Sequence, residues 1–132
     1  VHRDIKPANI LVCEYGRERD FVKVLDFGLV KSAKEEPASS SAALVTRANT
    51  VIGTPAYMAP EMVLTGTVDA RADLYALGCV VYEMLSGKPP FTGANFAQIW
   101  DQHLHATPRG LREQGIECPE WLEHLVMQLL EI

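Results

Sequence analysis

A chain of 132 residues with 48% hydrophobic content is one globular domain's worth or less, and its net charge of −5 leaves no basic footprint for nucleic acid. Cys13, Cys79 and Cys118 are odd in number and far apart, with no C-x-x-C or zinc spacing, so reduced thiols in a cytosolic setting are the simplest reading. The longest apolar run, around Leu74 to Leu85, is broken by Gly78 and Glu83 and is too short for a membrane span.

The segment His2-Arg3-Asp4-Ile5-Lys6-Pro7-Ala8-Asn9 puts a carboxylate, an ammonium and a carboxamide in one short loop. A second carboxylate, Asp26, opens Asp26-Phe27-Gly28. Such a set makes a poor core but a good clamp for a metal-bound polyphosphate. Mg2+ takes hard oxygen ligands, usually one or two carboxylates plus substrate phosphates, and lysine offers a compact charge to a phosphate oxygen. Between the two clusters, Ile10-Leu11-Val12 is apolar, Tyr15 to Asp20 is polar with a glycine, and Phe21 to Leu25 alternates. That pattern predicts a β-hairpin. Lys31 to Asn49 is small and polar. It has too little apolar area to offset the entropy of ordering, which predicts a mobile loop.

Asp69 to Ser86 is the strongest helix, with Thr67 or Asp69 as its cap and Gly87 with Pro89-Pro90 as its stop. Its sides are apolar all round, which predicts burial. Asn95 can cap a second helix to about Leu104, with Phe96, Ile99, Trp100 and Leu104 at helical spacing. His103 and His105 fall near its end, where a positive imidazole suits the helix dipole. They have no metal-ligand spacing with His124, so all three are expected to be structural or exposed. Thr107 to Glu117 is expected to be loop. Pro119 opens a last helix, with Trp121, Leu122, Leu125, Val126, Leu129 and Leu130 on one stripe expected to face the core.

His2 to Asn9 reads H-R-D-I-K-P-A-N, Asp26 to Gly28 reads D-F-G, and Ala59 to Glu61 reads A-P-E, preceded by Gly53-Thr54-Pro55-Ala56-Tyr57-Met58. Three protein-kinase signatures thus stand in family order. Over nearly its whole length the chain resembles the C-terminal lobe of a serine/threonine protein kinase. The wording of Ile5 to Leu11 and of Leu85 to Phe91 resembles bacterial members.

The resemblance implies an α+β, mainly α fold: a kinase-like C-lobe in which a short hairpin carries the catalytic loop and the metal-binding aspartate. Residues 1–132 would be a partial catalytic domain, from the catalytic loop onward. The glycine-rich loop, strand lysine and αC glutamate that ATP handling uses are not in this sequence, so a longer parent chain is expected. The resemblance implies roles residue by residue. Asp4 orients the substrate hydroxyl, Lys6 holds the γ-phosphate, and Thr54 bridges the two. Asn9 and Asp26 bind Mg2+, and ATP is the phosphoryl donor. Asp73 accepts backbone N–H bonds from the catalytic loop, and His2 is structural. Arg3 pairs with a phosphorylated activation loop, for which Thr46 and Thr50 are the favoured sites. Glu61 loses its family arginine partner, which lies beyond the last helix. Partners implied are a protein substrate presenting Ser or Thr and a second kinase copy for activation-loop autophosphorylation, in the cytoplasm.

Three functions follow: part of an active serine/threonine protein kinase, a non-catalytic kinase-like interaction module, or a small-molecule phosphotransferase of related fold. Gly53-Thr54-Pro55 and Ala59-Pro60-Glu61, which the resemblance assigns to peptide docking, argue against the third. The 132-residue chain by itself is expected to be inactive.

Overall fold

The computed structural model describes residues 1–25, 55–66 and 68–131. Asp26, Phe27, Gly28, Thr46, Thr50, Gly53, Thr54 and Thr67, and the loop expected over Lys31 to Asn49, lie outside the described residues.

The opening loop ends in a 3-10 turn, Pro7–Asn9, with the proline at its start where no N–H is needed. Strands β1 (Ile10–Tyr15) and β2 (Glu18–Val24) follow as the expected antiparallel hairpin. Ile10 pairs with Val24, Val12 with Val22 and Cys13 with Phe21, and the register shifts between Cys13 and Tyr15. The turn is tighter than the polar run suggested, just Gly16-Arg17, because Glu18 to Asp20 join the ladder. Gly16 takes a positive φ of 62°, which glycine adopts without steric cost.

The sequence pattern did not mark α1 (Pro60–Leu64), which lies within and just beyond the expected ordered stretch from Gly53 to Glu61. A 3-10 turn at Pro55–Tyr57 precedes it. Helix α2 (Ala70–Ser86) starts and stops as its caps require. The Asp69 carboxylate accepts from Arg71 N at 2.7 Å, and Gly87 at φ 85° donates its N–H to the Glu83 carbonyl. Helix α3 (Phe96–His105) is capped by Asn95, which accepts from Gln98 N at 3.0 Å. A short 3-10 turn, Arg112–Gln114, interrupts the expected loop before α4 (Glu120–Leu129), for which Pro119 is the cap residue.

The core lies between α2, α4 and the loop that joins α3 to α4. Ala59, Ala72, Tyr75, Cys79, Tyr82, Leu111, Val126 and Leu130 form one buried cluster. Helices α2 and α4 approach closely at Gly78. A Cβ there would lie 2.8 Å from Leu129 Cβ and 3.2 Å from Leu130 Cδ2. The Tyr82 hydroxyl donates to the Arg109 carbonyl at 2.7 Å and accepts from Gln114 Nε2 at 2.7 Å, which fastens the loop around Leu111 to α2.

Two expectations need correction. Helix α2 is not buried all round: its small residues and tyrosines pack inward while Leu74, Leu77 and Met84 are exposed. The α4 stripe divides in the same way. Val126 and Leu130 are buried, whereas Trp121 is 67% and Leu125 44% exposed. A wide apolar stripe on a helix that meets one neighbour buries its centre and leaves its flanks outside. Among the described residues no helix is long and apolar enough to cross a membrane.

Candidate active site

The site is built on Asp73, in the first turn of α2. Its Oδ2 accepts from His2 N at 2.6 Å and its Oδ1 from Arg3 N at 2.8 Å. Both carboxylate oxygens are thus spent on the backbone of a loop some seventy positions earlier in the chain, and bonds to a charged acceptor are the strong kind. They have work to do. Arg3 sits at φ 66°, the left-handed region, which costs a non-glycine residue about 1–3 kcal/mol. Two backbone donors gripped by one rooted carboxylate offset that strain and turn the chain sharply ahead of Asp4.

His2 contributes from the other side. Asp4 N donates to its Nδ1 at 3.3 Å, and its Nε2 lies 2.7 Å from the Leu25 carbonyl. A ring accepting at Nδ1 carries its proton on Nε2 and donates it to Leu25. His2 is therefore a strut and not a base, as the resemblance implied.

Asn9, 3% exposed, links the loop to the hairpin. Its N–H donates to the Lys6 carbonyl at 2.9 Å, and its own carbonyl accepts from Leu25 N at 2.8 Å. Its Nδ2 donates to the Asp4 carbonyl at 2.8 Å and to Asp4 Oδ2 at 2.9 Å. The same Oδ2 lies 3.2 Å from Lys6 Nζ. Asp4, Lys6 and Asn9 therefore converge on one point, with a carboxylate bridging an ammonium and an amide. Leu25, the residue before Asp26, is held to this group through both Asn9 and His2.

The fit to a metal-bound polyphosphate can be judged on donor chemistry. Both Nδ2 protons of Asn9 go to Asp4, so the amide's remaining functional atom is Oδ1, a hard neutral oxygen of the kind Mg2+ accepts. Lys6 supplies the positive charge. These residues suit the group.

Further on, the Tyr57 hydroxyl bonds the Glu83 carboxylate of α2. Burial and that carboxylate push the phenol up. The Pro55–Tyr57 turn thereby rests on α2. Glu61 lines a cleft of about 320 Å3 with Arg71, Leu74, Tyr75, Gln128, Leu129 and Glu131. This cleft shares no residue with the Asp4 cluster.

His103 is structural rather than exposed. It is 1% exposed, and burial lowers its pKa from 6.5 to about 4, so at neutral pH it carries no charge for the helix dipole. Phe96, Ile99, Trp100 and His103 share one helical face by spacing, and that spacing could have placed the ring inward from sequence alone. His105 is exposed, one of the two outcomes expected, and it pairs with Asp101.

A model of the protein kinase domain matches residues 1–132. The chain belongs to the protein kinase family. It is similar to a probable serine/threonine-protein kinase PknB of Bifidobacterium longum, 45% identical over 118 residues, which cover 88% of this chain and 16% of that protein. It is 43% identical over 132 residues to the serine/threonine-protein kinase PknB of Mycobacterium tuberculosis, covering 98% of this chain and 19% of the relative. The Mycolicibacterium smegmatis PknB stands at 43% over 130 residues, again with 19% of its length covered. The chain thus spans less than a fifth of these bacterial relatives, and the resemblance to bacterial serine/threonine kinases read from its motifs is upheld.

Proposed function

We propose that the longer protein containing this chain is a serine/threonine protein kinase that transfers the γ-phosphate of ATP to protein hydroxyls. We further propose that residues 1–132 form the catalytic-loop part of its C-terminal lobe. The observation that supports this most is the convergence of Asp4, Lys6 and Asn9 on a loop held by Asp73.

Phosphoryl transfer needs positioning and charge neutralisation more than covalent chemistry. Asp4 divides its two oxygens. Oδ2 is engaged by Asn9 and Lys6, so Oδ1 is the atom assigned to orient the incoming hydroxyl and take its proton. Lys6 balances the carboxylate and stabilises charge developing on the transferred phosphoryl group. Asn9 and Asp26 would hold Mg2+, which when bound neutralises phosphate charge. Thr54 is assigned to bridge Asp4 and Lys6, and Thr46 and Thr50 are candidate activating phosphosites for pairing with Arg3. Phosphate there would bring charge-assisted bonds to the guanidinium.

A protein substrate, a second kinase copy for autophosphorylation and a cytoplasmic placement complete the reading. The last is supported by the three unpaired cysteines. The test is phosphorylation of a protein substrate by the full-length parent beside Asp4→Asn. Loss of activity in the variant is expected. Equal activity in both would remove Asp4 from the mechanism, and none in either would favour a non-catalytic module.

A further inference from the structure

The His103 ring is enclosed by Phe91, in edge contact at 4.9 Å between ring centres, by Tyr75 at 5.6 Å and by Trp100 at 6.3 Å. Its Nδ1 lies 2.5 Å from the Tyr75 hydroxyl. Burial raises the phenol's pKa, so Tyr75 keeps its proton and donates it. A neutral imidazole that accepts at Nδ1 carries its own proton on Nε2. That Nε2 is buried and has no hydrogen-bond partner among the described residues. An unmet buried donor is costly, and helix α3 packs against the Pro55–Tyr57 turn. The Pro55 carbonyl favours a proton on the ring, against the stronger opposing effect of burial. This carbonyl already closes its own turn by accepting from Met58 N at 3.3 Å, and a carbonyl has two lone pairs.

We propose that His103 is a positioning residue: backed by Tyr75, it directs an Nε2–H at the Pro55 carbonyl and so pins the turn that directly follows Thr54 in the chain. Helix α3 then sets where the substrate-facing segment sits, and α2 sets where His103 sits. The consequence for peptide phosphorylation rests on the kinase reading above; the pinning itself does not.

The test compares full-length wild type with His103→Phe, His103→Gln and Tyr75→Phe. Amide hydrogen exchange is read by peptide, and protein-substrate kinetics are measured in parallel. Phenylalanine keeps the ring stack and removes the donor. Glutamine can accept from Tyr75 and donate to Pro55 through one amide. In His103→Phe, exchange over Pro55 to Met58 rises about tenfold, the scale of one hydrogen bond, with α2 unchanged. The KM for the protein substrate rises while the KM for ATP holds. Glutamine restores both. Should the phenylalanine variant not fold, Tyr75→Phe reads the same contact and is expected to loosen the same peptide. Unchanged exchange at Pro55 to Met58, equal loosening of all elements, or no restoration by glutamine would overturn the proposal. A wild type that phosphorylates nothing sinks the kinase reading, while the exchange results still decide the contact.

Discussion

The loop and hairpin of residues 1–25 and the helices of residues 55–66 and 68–131 are held by different forces. In the hairpin, Leu11, Val12, Tyr15, Phe21, Val22 and Val24 are all exposed, so burial contributes little. What fixes this region is polar: the carboxylate of Asp73, the ring of His2 and the amide of Asn9. In the helices, order comes from apolar burial around Tyr75, Cys79, Leu111 and Val126. Asp73 stands on the second region and holds the first. The apolar region supplies a rigid position and, on the proposed reading, the polar region supplies the chemistry, so damage should divide accordingly between stability and activity.

The largest effect is expected at the joint. In Asp73→Ala, His2 N and Arg3 N lose their acceptor and nothing offsets the positive φ of Arg3. A misplacement of roughly 1 Å in a catalytic group costs about a hundredfold in rate, and at least that loss of kcat is expected in the full-length protein. Circular dichroism should still report the helices. A variant with near-normal kcat would show that the loop holds its shape without α2.

How much of this was legible beforehand follows the same division. The hairpin, the caps at Asp69 and Asn95, and Asp73 as backbone acceptor could be read because each rests on a local pattern or a motif. The inward side of α4 could not. Trp121 and Val126 are both apolar at compatible spacing, and only the position of α2 decides that Val126 is buried and Trp121 is not. Leu111 sits in a loop that no periodicity marks, yet it is fully buried because Tyr82 and Gln114 tie its neighbours down. The structural reading of His103 holds but the helix-end charge does not, because the dipole argument is local whereas its cage is assembled from Tyr75, Phe91 and Trp100.

Within the helical region, Gly78→Val should be the most damaging change to stability without touching the loop of Asp4, Lys6 and Asn9. Even the first added carbon lands 2.8 Å from Leu129 Cβ, and overpacking of this kind costs about 1–3 kcal/mol. Urea unfolding would measure it. A neutral result would mean that α2 and α4 can move apart freely.

The pH dependence sharpens the contrast further. His103 has a folded pKa of about 4 against 6.5 for the free side chain. The unfolded chain therefore binds more protons across that window, and stability falls as pH drops from 6.5 towards 4. The full shift corresponds to a loss on the order of 3 kcal/mol, absent above the upper value and complete below the lower. Unfolding midpoints measured against pH should show this slope in wild type and lack it in His103→Gln.

The smallest effect is expected at Trp121, one turn and a half before Val126 on the same helix. With the Trp121 side chain largely in solvent, Trp121→Ala should change the unfolding free energy of this chain by less than about 0.5 kcal/mol, whereas Val126→Ala removes buried methyl groups and costs at least about 1 kcal/mol. The comparison becomes informative when it is repeated in the full-length protein. If Trp121→Ala then costs on the order of 3 kcal/mol, another part of the parent covers that face of α4, and the exposed flank of the helix is an internal contact surface. If the cost stays small, the flank faces solvent there too, and the division between buried centre and wet flanks belongs to the helix itself.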